Sequence, residues 1–206
     1  IVFTRAGALL VRDFNLDTVT LSGEDRILGD GVSSAPGSAL MVSQGGVLAV
    51  SGGTGGERLV WQTADGRETF ASDIAQTNNL SLSPDGHRAL INEQSALVMI
   101  DLDQGGRSRL GTTDGDPIWA PDGRRFAHRS QAGIVIRTVD DARESVLLAG
   151  ATVGFPEDWS RDGRWIVAGL REDPFQVALL PIDGGPPVKF IPRDSGITSA
   201  DEMHFS

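Results

Sequence analysis

The feature that most constrains this chain is a turn motif that recurs at nearly constant spacing. Ser83-Pro84-Asp85-Gly86-His87-Arg88 returns as Ala120-Pro121-Asp122-Gly123-Arg124-Arg125 and again as Ser160-Arg161-Asp162-Gly163-Arg164-Trp165. A worn copy, Ser43-Gln44-Gly45-Gly46, precedes them, so that successive copies start 40, 37 and 40 residues apart. A large apolar residue stands before each full motif: Leu82, Trp119 and Trp159, with Phe205 opening a further copy 46 residues on. A fixed period of this length means one supersecondary unit, repeated and stacked on its neighbours.

Each unit has the same internal order. The Asp-Gly pair supplies a tight turn, Gly tolerating positive φ and Asp bonding nearby backbone. A short apolar segment follows, such as Val47–Val50, Ala89–Ile91, Phe126-Ala127 or Trp165–Ala168. After a polar break a second apolar segment runs to an Asp: Leu59 to Asp65, Leu97 to Asp101, Ile134 to Asp140, Val177 to Asp183. A weaker segment closes the unit, for example Arg109-Leu110 or Val146–Leu148. Four short strands in about 40 residues, with no helical period between them, predict an all-β fold: a β-propeller of four-stranded antiparallel blades. The strands read as apolar runs because an inner blade is covered on both faces. The repeats place blades at 38–70, 79–112, 116–149 and 156–191, a partial one at 1–31, and the start of another at 201–206, all within a single propeller domain.

Composition narrows the function classes. Eighteen Lys and Arg face 28 Asp and Glu, a net charge of −10. Nucleic-acid binding draws its affinity from cations against phosphate, and anionic membranes attract basic segments, so this balance argues against both. No apolar run approaches the ~20 residues of a membrane helix, and no basic, apolar secretory leader is present. Cysteine is absent, which removes disulfides, thiolate metal sites and a Cys nucleophile. Tyrosine is absent too, leaving eight Phe and four Trp to serve the core.

The aromatic residue, the Ser-Pro-Asp-Gly-Arg turn and the following apolar strand resemble the TolB-like, or WD40-like "PD40", β-propeller repeat, from about Ser38 to Ser206. Ile1–Phe3, Gly7–Val11, Phe14, Leu21–Glu24 and Gly31-Val32 resemble a blade of the propellers attached to bacterial serine/threonine protein kinases. Leu59–Trp61 with Asp65-Gly66-Arg67 is similar to the next blade there. The resemblance implies a sensor or binding domain outside the cytoplasmic membrane. It does not carry over kinase activity, because no glycine loop with its Lys and no catalytic-loop His-Arg-Asp is found. The chain opens inside an apolar run and reads as an excerpt. It is expected either to be part of a larger ring, the favoured reading since the kinase-attached relatives run longer on both sides, or to close a five-bladed ring by pairing 202–206 with 1–31.

Candidate chemistry is sparse. His87, His128 and His204 are the only histidines and fall after a turn, at a strand end and in a first strand, so they do not converge on a metal. No Gly-x-Ser-x-Gly elbow exists. Gly52–Gly56 lacks the Gly-Lys-Ser/Thr of a phosphate loop and reads as a hairpin. Asp85, Asp122 and Asp162 read as turn formers, and Trp119, Trp159 and Trp61 as core, while Trp165, after Arg164, is left open. What stands out is an acidic cluster: Asp114, Asp116, Glu157, Asp158, Asp201 and Glu202 all precede a first strand, with Asn78 and Asn79 in the matching place of another blade. In a propeller that region lines the channel mouth. Asp116, Glu157, Asp158, Asp201 and Glu202 are therefore the candidate ligand site, for calcium or a basic peptide; no other cofactor is expected.

The expectation is a non-catalytic propeller that binds a protein, a peptide or a small ligand at its channel face. The alternatives are the gating propeller of a prolyl-oligopeptidase-like peptidase and a TolB-like periplasmic scaffold.

Overall fold

A computed structural model describes residues 2–6, 8–15, 18, 20–30, 40–43, 46–53, 56–63, 65, 67–74, 77–150, 153–171 and 176–190. Every regular element in it is a β-strand. Five antiparallel sheets follow one another along the chain. The first holds three strands: β1 (Val2–Arg5), β2 (Ala8–Asn15) and β3 (Thr20–Asp30). The other four hold four strands each, paired in chain order. They are β4 (Leu40–Ser43), β5 (Gly46–Gly53), β6 (Gly56–Gln62) and β7 (Glu68–Ile74); then β8 (Thr77–Leu82), β9 (Arg88–Glu93), β10 (Ala96–Asp101) and β11 (Arg107–Thr112). Next come β12 (Ile118–Trp119), β13 (Arg125–Ser130), β14 (Gly133–Thr138) and β15 (Glu144–Ala149), and finally β16 (Val153–Trp159), β17 (Trp165–Leu170), β18 (Gln176–Pro181) and β19 (Val188–Phe190).

The recurring motif joins the first strand of a sheet to the second. The Gly86 amide donates to the Ser83 carbonyl, Gly123 to Ala120 and Gly163 to Ser160, at 2.8, 3.0 and 2.8 Å. The three glycines hold φ of 76°, 65° and 72°, a left-handed conformation that costs a residue with a Cβ about 1 kcal/mol or more. Each aspartate then caps the turn. Asp85, Asp122 and Asp162 Oδ1 accept from the amides of His87, Arg124 and Arg164. Ser83 and Ser160 hydroxyls donate to Asp85 and Asp162. These carboxylates are turn formers, as their sequence setting predicts. In the worn copy Ser43 lies opposite Gly46; residues 44–45 between them lie outside the described residues. The glycine-rich stretch is a hairpin with Gly53 opposite Gly56; residues 54–55 between them lie outside the described residues.

Second and third strands are covered on both faces, and the residues divide by parity. Ala89 and Ile91 pack with Leu59, Ala71 and Ile74 of the preceding sheet. Leu90 and Leu97 turn the other way, onto Trp119 and Phe126 of the next. Ala127, Ile134 and Ile136 in turn meet Trp159, Ile166 and Ala168. Sheets stack face to face, while the first strands of successive sheets (β4, β8, β12, β16) approach one another. Converging first strands with the fourth strands at the far edge are the wedge geometry of a propeller, with the first strand nearest the axis. β11 and β15 are mostly solvent-exposed, which matches their weak apolar signal.

One device recurs across sheet boundaries, and single hydrogen bonds add to it. The guanidinium of Arg88 lies 5.0 Å from the centroid of the Trp119 ring, and that of Arg125 lies 5.5 Å from Trp159. Arg88 also donates to the Gly123 carbonyl at 2.8 Å. The buried Gln62 amide donates to the Leu28 carbonyl at 3.0 Å, tying the first sheet to the second. Trp165 occupies the repeat position of Arg88 and Arg125 and is half-buried, which explains why its role was ambiguous in the sequence.

Candidate functional site at the hairpin face

Antiparallel order gives the sheets two ends. One carries the Asp-Gly turns and the loops between third and fourth strands. The other carries the hairpins between second and third strands and the connectors from one sheet to the next. The connector after β11 is fixed there by its backbone: Thr113 N–H donates to Ser95 O at 3.1 Å, and Asp114 N–H to Arg129 O at 3.4 Å. The buried Thr113 hydroxyl lies 2.8 Å from Gly115 O and 3.0 Å from Arg129 O, and its single proton is shared between these two carbonyls.

This connector supports an aromatic residue. Phe155 of β16 lies directly on Gly115, where an added Cβ would fall 2.1 Å from a ring carbon. Two guanidinium groups flank that half-buried ring: Arg129, from the end of β13, at 5.4 Å from its centroid, and Arg171, just after β17, at 4.9 Å. Cations are attracted to the negative face of an aromatic ring. β16 can present Phe155 here because it is irregular: its register against β17 slips twice between Val153 and Asp158, and Gly154 lets the backbone of Gly169 approach closely.

The predicted acidic residues divide. Asp116 stands just before β12, as expected. Glu157 and Asp158 correct their expected place, because β16 begins at Val153 and both lie inside the first strand rather than ahead of it. A strand opening with Val-Gly-Phe-Pro has no apolar run to announce it. Asn78 and Asn79 likewise lie within β8. Asp116, Glu157 and Asp158 are half-buried and engaged in interactions, and Asp158 Oδ1 accepts from the Trp159 amide at 2.8 Å. Asp201 and Glu202 lie outside the described residues, as do His204 and Phe205. Among the described residues no three histidine, aspartate or glutamate side chains come together as metal ligands.

The histidines are far apart in character. His87 is exposed at the turn end, and Asp103, 2.8 Å from its Nδ1, raises its pKa. His128 corrects its expected position: it is in the body of β13, only 3% exposed, and burial pushes its pKa below the ordinary value. Its Nε2 is buried without a hydrogen bond.

Arg129, Phe155 and Arg171 had no signal in the repeat. They occupy variable positions on either side of the apolar strand cores, and only the bulged path of β16 gathers them.

The architecture is that of a β-propeller. No family model and no curated protein matches the sequence. Solved structures do match in fold. TolB from Acinetobacter baumannii aligns at a TM-score of 0.67 and 18% identity, over 91% of this chain and 50% of that one. A chain of a nidogen/laminin complex aligns at 0.63 and 12% identity, over 91% and 76%. The β-propeller domain of Cps50 (Swd1) from Myceliophteria thermophila aligns at 0.56 and 12% identity, over 86% and 60%. The chain thus has the TolB-like, WD40-like propeller fold, and it spans half the length of the TolB chain it matches.

Proposed function

We propose that this chain is a non-catalytic binding propeller, with the hairpin face as its binding face and a protein or peptide as its ligand. The observation that carries the reading is the Arg129–Phe155–Arg171 group at the connector that leads into Asp116; Glu157 and Asp158 lie further along β16, toward its Asp-Gly turn. Half-exposed aromatic and arginine side chains dominate binding energy in protein interfaces. A carboxylate such as Asp116, one residue from Gly115, would set orientation and partner choice more than affinity. The likeness to a protein whose structure was solved as a nidogen/laminin complex supports a protein ligand. The sequence resemblance to kinase-attached propellers supports a sensor role outside the cytoplasmic membrane.

The test is affinity capture from an extract of the source cells, using wild type, Phe155→Ala, Arg171→Glu and, as a control on the opposite face, Arg124→Glu. Circular dichroism first establishes that each variant is folded. A partner held by wild type and Arg124→Glu but lost from the other two supports the reading. Equal capture by all four, or by none, refutes it.

A further inference from the structure

The geometry points to a second binding site, for a small organic carboxylate, in a cleft on the face of the β8–β11 sheet that packs against the β4–β7 sheet. This inference is independent of the Phe155 face. The cleft has a volume of about 450 Å³ and is lined by Glu93, Gln94, Ala96, Val98, Arg107 and Arg109. That is within the range of small-molecule sites, about 300–1,000 Å³.

Its lining is ordered by charge. Arg107 is paired and fixed: it donates to both carboxylate oxygens of Glu93, at 2.8 and 2.7 Å, and to the Asp73 carbonyl of the neighbouring sheet at 2.6 Å. Its charge is cancelled locally by Glu93. Arg109 lies two residues further along β11, on the same side of the strand, directly across from Val98. It is exposed, and among the described residues it has no ion pair or hydrogen bond from its side chain. The cleft therefore holds one net positive charge in a chain whose net charge is −10. Ala96 and the buried Val98 are the apolar part of a lining that is otherwise polar, and Gln94 adds a side-chain amide that can donate or accept. One uncompensated guanidinium in a mainly polar cleft with a small apolar patch fits a carboxylate on a short apolar body, since Arg pairs with carboxylates through two parallel N–H bonds.

The backbone at the rim is unusual. Gln94 and Ser95 form the β9–β10 turn with φ of 52° and 64°, a double left-handed conformation that such turns ordinarily give to Asn-Gly or Gly-Gly. The Asn92 side chain holds it by accepting from Ser95 N–H at 3.1 Å. Strain of this kind persists where the surrounding structure fixes it, and it accompanies ligand sites.

The probe is 3-phenylpropionate, with its amide and 3-phenylpropylamine as neutral and cationic controls. Binding is read from the Ala96 and Val98 methyl resonances of the intact chain. Saturable shifts are expected for the carboxylate, with the amide weaker and the amine silent. Arg109→Gln, an exposed substitution that leaves the core untouched, should weaken the carboxylate about tenfold or more, the scale of one charge-assisted hydrogen bond. Ala96→Leu should weaken it with the arginine intact. Acetyl-Ala-Phe with a free C-terminus separates the sources: tighter binding than the probe assigns the site to a peptide terminus, weaker binding to a free acid. Absence of saturable shifts at millimolar probe, equal binding by the amide, or unchanged binding by Arg109→Gln would each overturn the inference.

Discussion

Trp119 and Trp159 offer a direct test of how the sheets hold together. They occupy the same repeat position, are 7% and 5% exposed, and each lies under an arginine of the preceding sheet. They differ at one atom. Trp119 Nε1 donates to the Ser81 carbonyl across the sheet boundary at 3.0 Å, whereas Trp159 Nε1 is buried without a hydrogen-bond partner. Replacing each by Phe removes similar apolar area and leaves a similar cavity, so those effects cancel in the comparison. Trp119→Phe additionally loses a hydrogen bond worth about 1 kcal/mol. Trp159→Phe removes an unsatisfied buried donor and recovers about 1 kcal/mol or more of desolvation. Trp119→Phe should therefore be the more destabilising by about 2 kcal/mol, which is roughly 4–8 °C in Tm for a chain of this size. Urea denaturation at constant m-value, supported by calorimetry, measures it. Equal losses, or a greater loss in Trp159→Phe, would show that the indole N–H groups do not govern this boundary.

The other expected outcomes concern pH and backbone. His128 is buried neutral, with Arg129 O 3.2 Å from Nδ1; beyond its burial, Arg137 lowers its pKa and Glu144 raises it. Its contribution to stability is complete above the unfolded pKa near 6.5 and is lost as pH falls toward the depressed folded value, so His128→Phe should flatten the acid limb of a pH–stability profile. Asp162, bonded by the Ser160 hydroxyl and by Arg164, has its pKa lowered to about 2; its carboxyl resonance should titrate there, with its stabilisation present above 3.8 and lost through pH 2. Gly123→Ala meets only Pro84 at 3.8 Å, so its cost should be the conformational one, about 1 kcal/mol. Gly133→Ala would place a Cβ 2.0 Å from the Leu148 carbonyl and should cost about 3 kcal/mol or more, or prevent folding, as thermal melts would show.

The repeat made the four-stranded antiparallel sheets legible because it is written in local chemistry. A turn that needs Gly at positive φ and Asp as its cap leaves the same residues wherever it occurs, as at 85–86, 122–123 and 162–163. A strand buried on both faces must be apolar at successive positions, as in Ala89–Ile91 and Ile134–Ile136. The weak fourth strands β11 and β15 carried little signal because an exposed edge demands little of its side chains. The irregular first strand β16 was not legible, because Gly154 and Pro156 erase the apolar run that would mark it. His128 was misplaced for a related reason: an isolated polar residue in a strand reads as an end, although here a neighbouring sheet covers it.

The sequence by itself determined the repeating unit, its turns and the class of fold. Only the tertiary structure decided which residues share a surface. The Phe155 group draws on β13, β16 and the residue after β17, and the cleft beside Arg109 depends on Arg107 reaching Asp73 in another sheet. Local spacing specifies a turn or a strand because its interactions span a few residues. Convergence of side chains from separate strands depends on how sheets stack and where a bulge bends one of them, and no short stretch of sequence records that.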